Sequence, residues 1–153
     1  MYIYFYETEF GNMGIAEAEG KITNVYFSVE QAPVSFEVKE TELLKEAGRQ
    51  LKEYFSGTLK EFSLPLAPKG TEFMGKVWEA LCEIPYGKTA SYKDIAEKIG
   101  NSKACRAVGL ANNRNPIPIF IPCHRVIGAN GSLTGYAGGL DMKKRLLDLE
   151  KLL

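Results

Sequence analysis

The sequence predicts an α/β (α+β) protein of two small domains. The first, over residues 1–65, is an antiparallel sheet with one helix; the second, over 66–153, is a mainly helical domain resembling a winged helix-turn-helix. Three observations carry this. The opening residues hold short β-branched and aromatic runs separated by turn residues. The second half shows apolar spacing of helical period, broken at glycines. Between them, Ser63 to Gly70 (Ser-Leu-Pro-Leu-Ala-Pro-Lys-Gly) has the texture of a linker. A chain of 153 residues is long enough to bury a core in each part.

In the first domain, strands are expected over 2–8, about 13–18 and 22–28, with turns at Gly11-Asn12 and at Glu19-Gly20-Lys21. A polar stretch from Val29 to Glu40 follows. Leu43, Leu44, Ala47, Leu51, Tyr54 and Phe55 then recur at core-like spacing and predict a helix over 41–55, ended by Ser56-Gly57. No residue in this domain carries recognisable chemistry, so it reads as scaffold.

The second domain opens with a predicted helix from Thr71 to Ile84, its stripe formed by Phe73, Val77, Leu81 and Ile84, with Cys82 read as a core residue. Pro85-Tyr86-Gly87 breaks the chain. Ser91 with Asp94 three residues later predicts a capped helix start. After the Gly100-Asn101 turn, Ser102 is the expected cap of a second helix running to about Asn113, and the pair has helix-turn-helix outline. That second helix is thin: Ala104, Ala107, Gly109 and Ala111 recur along it. Gly109 costs ~1 kcal/mol relative to alanine in a helix interior, which points either to close helix packing or to a face that enters a narrow groove. The glycine-rich loop from Gly128 to Gly139 lacks the Lys-Ser/Thr of a phosphate cradle and reads as a wing-like hairpin and pocket wall. A last helix, Asp141 to Leu153, puts Met142, Leu146, Leu149 and Leu153 on its apolar face. Glu150 borders that face, and spacing alone leaves it equally a buried or a solvated residue.

Composition narrows the class. An apolar fraction of 45% and a charged fraction of 25% are those of an ordinary globular protein. The net charge is zero, but residues 1–69 carry 7 Lys+Arg against 11 Asp+Glu, and residues 70–153 carry 12 against 8. The basic second half hints at a polyanionic partner. Cys82, Cys105 and Cys123 are odd in number and lack metal-ligand spacing, so neither a disulfide scaffold nor a metal site is expected, and a free thiol suits a reducing, cytoplasmic setting. Met1 to Tyr6 is too short and uncharged for a signal peptide, and no apolar run is long enough to span a membrane.

The informative stretch is Pro116 to Gly128. It sets Cys123 beside His124, the only histidine in the chain, inside an apolar run that three prolines make extended. A buried cysteine is ordinarily inert packing. A neighbouring imidazole followed by Arg125 is not required by packing, however, and titratable groups in an apolar run are costly unless used or paired. On an extended strand Cys123 and His124 point to opposite faces, so they meet only if the chain turns after Pro122, or through a water.

Ile121-Pro122-Cys123-His124-Arg125-Val126 resembles the active-site signature of the O6-alkylguanine-DNA alkyltransferases, also called methylated-DNA–protein-cysteine methyltransferases. The resemblance extends over the C-terminal half. It implies a ribonuclease H-like first domain, no cofactor, and direct repair of DNA by a stoichiometric, irreversible transfer. The methyl or alkyl group passes from O6 of guanine to Cys123, with O4 of thymine left open as a further site. It implies that His124 draws the thiol proton through a water and that Glu150 orients His124. Tyr92 would donate a proton to the leaving guanine, and Asn115 would shape the site around the thiol. By the same resemblance Arg106 fills the space of the flipped base, Ala107, Gly109 and Arg125 join Tyr92 against the DNA minor groove, and Tyr136, Ala137, Gly138 and Val126 line the base pocket. Ala137 stands where some relatives have serine, so a side-chain hydrogen bond to the base is lost there. Some relatives hold zinc in the first domain; here all three cysteines lie beyond residue 80. The expected partner is double-stranded DNA carrying the lesion, met by a monomer. The rival reading is a non-enzymatic sensor of alkylated DNA on the same fold.

Overall fold

The computed structural model describes residues 1–151 and divides into two compact units, Met1–Lys69 and Gly70–Leu153. In the first unit, β1 (Tyr2–Thr8), β2 (Gly11–Ala18) and β3 (Lys21–Tyr26) form an antiparallel meander. The β2–β3 turn places Glu19 and Gly20 both at positive φ, the backbone a tight two-residue hairpin requires. The polar stretch hides a fourth strand, β4 (Glu37–Val38), which pairs parallel with β1, giving the order β3-β2-β1-β4. Two exposed residues carry no period-2 signal, which is why the sequence does not reveal it.

Helix α1 (Glu42–Phe55) starts where Thr41 accepts a hydrogen bond from Leu44 N at 3.1 Å. Leu44, Ala47, Leu51 and Tyr54 are fully buried on its sheet-facing side, each large side chain contributing about 1.5–3 kcal/mol by leaving water. Gly48 is required there: a Cβ would lie 2.5 Å from the Tyr6 ring.

In the second unit, α2 (Glu72–Cys82) is capped by Thr71 and buries Val77, Trp78, Ala80 and Leu81. Cys82, expected in the core, is exposed instead, because the helix ends there and turns it outward. Two short helices follow, α3 (Tyr92–Lys98) and α4 (Cys105–Asn113). The capping box at Ser91 and Asp94 is present, with Asp94 N to Ser91 Oγ at 3.0 Å and Ser91 N to Asp94 Oδ2 at 2.9 Å. Ser102 does not cap α4; the N-cap is Ala104, with no side-chain hydrogen bond, since a turn through Asn101 O and Ala104 N intervenes. Trp78 Nε1 donates to Ala111 O at 2.9 Å, joining α2 to α4.

The proline run is not an extended strand. Asn115 folds it: its Oδ1 accepts from Ile117 N at 2.9 Å and its Nδ2 donates to Ile121 O at 2.8 Å. Ile119 is driven to φ 75°, a strained position for a β-branched residue. Pro122, at φ −80° and ψ 64°, is the centre of an inverse γ-turn closed by Cys123 N to Ile121 O at 2.8 Å. The chain thus turns at Pro122 into a single 3-10 turn, Cys123–Arg125, and leaves it through β6 (Val126–Ile127). Strand β6 pairs parallel with β5 (Ala90–Ser91), directly before Tyr92. The glycine-rich loop forms no hairpin of strands; only a local turn, Gly128 N to Ser132 O at 2.9 Å, marks its start.

Helix α5 (Leu140–Lys151) buries Met142, Lys143, Leu146, Leu147 and Glu150. Its inward face is therefore rotated from the expected one: Leu149 is only half-buried, Lys143 is inside, and Leu153 lies outside the described residues. No helix among the described residues is long and apolar enough to cross a membrane.

Candidate active site

Cys123, His124 and Arg125 are all buried, at 4%, 0% and 7% exposure, on the 3-10 turn that Pro122 initiates. Placing three such residues in one turn needs a partner for two of them. Glu150, 3% exposed on α5, supplies it. Its Oε2 lies 2.7 Å from His124 Nε2 and 3.0 Å from Arg125 Nη2, while its Oε1 accepts from Arg125 Nε at 2.9 Å and from Gly87 N at 3.2 Å. The arginine–glutamate pair is bidentate, the strongest form of such a contact. Burial pushes the His124 pKa down, opposed by its hydrogen bond to Glu150. A neutral imidazole donating Nε2–H to the carboxylate is the state this environment favours.

Arg125, expected by resemblance at the DNA face, is buried in this structure. Its guanidinium is spent inside the unit, on Glu150 and on Ile84 O at 2.7 Å just past the end of α2, and it stacks 5.7 Å above the Tyr86 ring. An arginine next to a cysteine–histidine pair suggests a surface cation only until the carboxylate that needs it is located.

The thiol of Cys123 is held between opposing effects. Burial pushes its pKa up to about 11, while the Asn115 side-chain amide and the charge of Lys143 favour the thiolate. Asn112, at 2% exposure, donates Nδ2 to Cys123 O at 3.3 Å and so fixes the backbone of that residue. Neither Asn112 nor Lys143 stands out in the sequence reading. The available signal was position: Asn112 follows Ala111 on the core side of α4, and Lys143 precedes Glu150 by two helical turns.

Tyr92, half-buried at the start of α3, places its hydroxyl 2.8 Å from Thr134 Oγ1 and 3.3 Å from Thr134 O in the glycine-rich loop. Tyr136 and Val126 are buried, Gly138 is half-buried and Ala137 is exposed. On α4, Arg106, Ala107 and Leu110 are exposed, and Gly109 is half-buried beside Tyr92. A Cβ at Gly109 would sit 3.8 Å from the Tyr92 ring, an ordinary contact, so helix packing does not demand glycine. The structure therefore gathers Cys123, His124, Glu150 and Asn115 into one cluster, ties Tyr92 to the loop, and leaves Arg106 and Ala107 on a separate open face.

A helix-turn-helix unit that encloses a cysteine, an imidazole and a carboxylate defines a class: a nucleic-acid-binding protein with a built-in thiol reactant. Two family models match the chain: the 6-O-methylguanine DNA methyltransferase ribonuclease-like domain over residues 1–68 and the DNA binding domain of the same family over 72–152. The chain belongs to the 6-O-methylguanine DNA methyltransferase family. It is 54% identical to a methylated-DNA–protein-cysteine methyltransferase of Methanosarcina acetivorans over 153 residues, 98% of each chain. It is 52% identical to the constitutive methylated-DNA–protein-cysteine methyltransferase of Bacillus subtilis, over 95% of this chain and 93% of that one. Among solved structures, Mycobacterium tuberculosis OGT in complex with DNA matches with a TM-score of 0.93 at 43% identity, covering 99% of this chain and 94% of that one.

Proposed function

We propose that this protein reverses alkylation damage in DNA directly, accepting a methyl or other alkyl group from O6 of guanine onto Cys123. The observation that carries the reading is the buried Cys123-His124-Glu150 cluster. Displacement at saturated carbon needs a soft nucleophile, and a thiolate is the suitable side chain. The S–C bond forms as the C–O6 bond breaks, its electron pair staying on the guanine oxygen. The product is a thioether with no leaving group, so each molecule reacts once.

In this reading His124, its Nε2 held by Glu150, takes the thiol proton at Nδ1 through a water. Asn115 favours the thiolate and fixes the proline run. Tyr92 exchanges its contact with Thr134 for the base, donating a proton as charge develops on the leaving guanine, the kind of preorganised stabilisation that dominates such steps. Tyr136, Val126, Ala137 and Gly138 form the wall of the base pocket. The minor groove is ~6 Å wide, and the exposed small residue Ala107, with Gly109 whose side has room to spare, supports entry of a thin helix there. Arg106, exposed on the same helix, fills the space of the flipped base, an extrusion that costs a few kcal/mol. A free thiol reactant suits a reducing cytoplasm, and every residue given a role here lies within Gly70–Leu153, which supports a monomer.

The test is stoichiometric. Duplex DNA carrying O6-methylguanine is mixed with increasing protein, and restored guanine is counted. Restoration that plateaus at one guanine per chain supports transfer. Retained binding with no restored guanine selects the sensor.

A further inference from the structure

Asn112, in the last turn of α4, is 2% exposed and turns its amide to the nucleophile's own backbone, Nδ2 donating to Cys123 O at 3.3 Å. Only the nitrogen of that amide can face a carbonyl, so Oδ1 is directed elsewhere. Among the described residues that oxygen is buried with no hydrogen-bond partner. Cys123 O does not depend on the contact, because Val126 N already donates to it within the turn. An orphaned buried acceptor costs stability, and an apolar side chain of the same shape would avoid that cost. For packing alone, asparagine is a poor choice here.

What the amide supplies is a link between elements. Cys123 N is bonded to Ile121 O, and Cys123 O to Val126 N, both inside the segment that carries the thiol. The bond from Asn112 comes from outside it, from α4. That helix is itself tied to α2 one residue earlier, by Trp78 Nε1 at Ala111 O. Arg106, Ala107 and Leu110 stand exposed on the same helix.

We propose that Asn112 is a positioning residue that registers the nucleophile against the helix meeting the DNA. One rigid helix then carries the groove contacts on its exposed face and the backbone of Cys123 on its buried one. The place of the flipped base and the place of the sulfur are set by the same element. In-line attack tolerates little misplacement, since a shift of about 1 Å can cost ~10²-fold. A base held in a duplex cannot follow a displaced thiol, whereas a free base can adjust. The inference rests on the transfer reaction proposed above.

Two variants test the link. Asn112→Leu keeps the outline of the side chain and removes both the donor and the orphaned acceptor; Asn112→Ala, which is smaller, cannot clash. Single-turnover transfer is followed with protein in excess, on duplex carrying O6-methylguanine and on the free O6-methylguanine base, with denaturant unfolding measured alongside. In both variants the saturated duplex rate is expected to fall about tenfold and the free-base rate several-fold less, with the protein concentration at half-saturation unchanged. Asn112→Leu is expected to unfold at a denaturant concentration no lower than the parent, a result that separates positioning from structural support. If Asn112→Leu fails to fold, the two rates of Asn112→Ala decide. A duplex rate near the parent's, equal slowing on both substrates, or a shifted half-saturation at an unchanged saturated rate overturns the proposal and leaves the transfer reading standing. A parent protein that restores no guanine overturns both.

Discussion

His124 Nε2 lies 2.7 Å from Glu150 Oε2, with both side chains withdrawn from solvent, at 0% and 1% exposure. That contact joins the last helix to the turn bearing the nucleophile, and the same carboxylate neutralises Arg125. Catalytic orientation and structural pairing thus share one residue.

Replacing Glu150 with glutamine keeps the shape and removes the charge. Arg125 is then a buried cation facing an amide, and His124 is left with at most a neutral amide oxygen where it had a carboxylate. Removing one partner of a buried pair costs about 3–5 kcal/mol. Denaturant unfolding of Glu150→Gln is expected to show a loss of that order, with transfer slowed in the fraction that remains folded. Unfolding indistinguishable from the parent would mean the pair is not formed in solution.

The two arginines separate by assay. Arg125→Ala is expected to lower stability by about 3–5 kcal/mol, with the salt dependence of DNA binding unchanged well below the melting point. Arg106→Ala, on the exposed face of α4, is expected to stay within about 0.5 kcal/mol of the parent stability. It should slow repair in duplex more than attack on the free modified base. Equal slowing on both substrates removes the flipping role from Arg106.

The buried thiol also writes a pH dependence. Burial pushes the Cys123 thiol up from an ordinary value of 9.0 to about 11 in the folded protein. Because the folded value is raised, the unfolded chain loses its proton first. The contribution of Cys123 to stability is complete below about pH 9 and is lost as pH rises through 11, on the order of 2–3 kcal/mol in all. Denaturant unfolding across that window should fall less steeply in Cys123→Ala than in the parent. Parallel curves would place the thiol in a more solvated setting.

At the start of α3 the capping box predicts a smaller effect. Ser91→Ala removes the acceptor for Asp94 N and should lower stability by ~1 kcal/mol, measured as a shift in denaturant midpoint. No shift would show that the β5 pairing alone holds this end.

Elements with a strong local signal were legible in the sequence. The meander, the α1 stripe and the Ser91 start depend on neighbours in the chain, and the structure has them. The site was legible as residue types, but its geometry was not. Three prolines suggested an extended strand, yet the Asn115 side chain bonds Ile117 and Ile121 and folds the run, so that Cys123 opens a turn. The pairing of Arg125 with Glu150 was not legible because the two lie 25 residues apart. Lys143 was hidden by its type: a lysine in an amphipathic helix reads as solvent-facing until the register of that helix on the core is known.

The central claim is that Cys123 is the atom-level acceptor. The most direct measurement uses duplex DNA whose O6-methyl group carries a heavy isotope, followed by intact mass and peptide mapping of the protein. The account predicts one labelled methyl per chain, confined to Cys123, and none gained on longer incubation with excess lesion. Label on Cys82 or Cys105, release of the label to water, or an unlabelled protein beside restored guanine would contradict it.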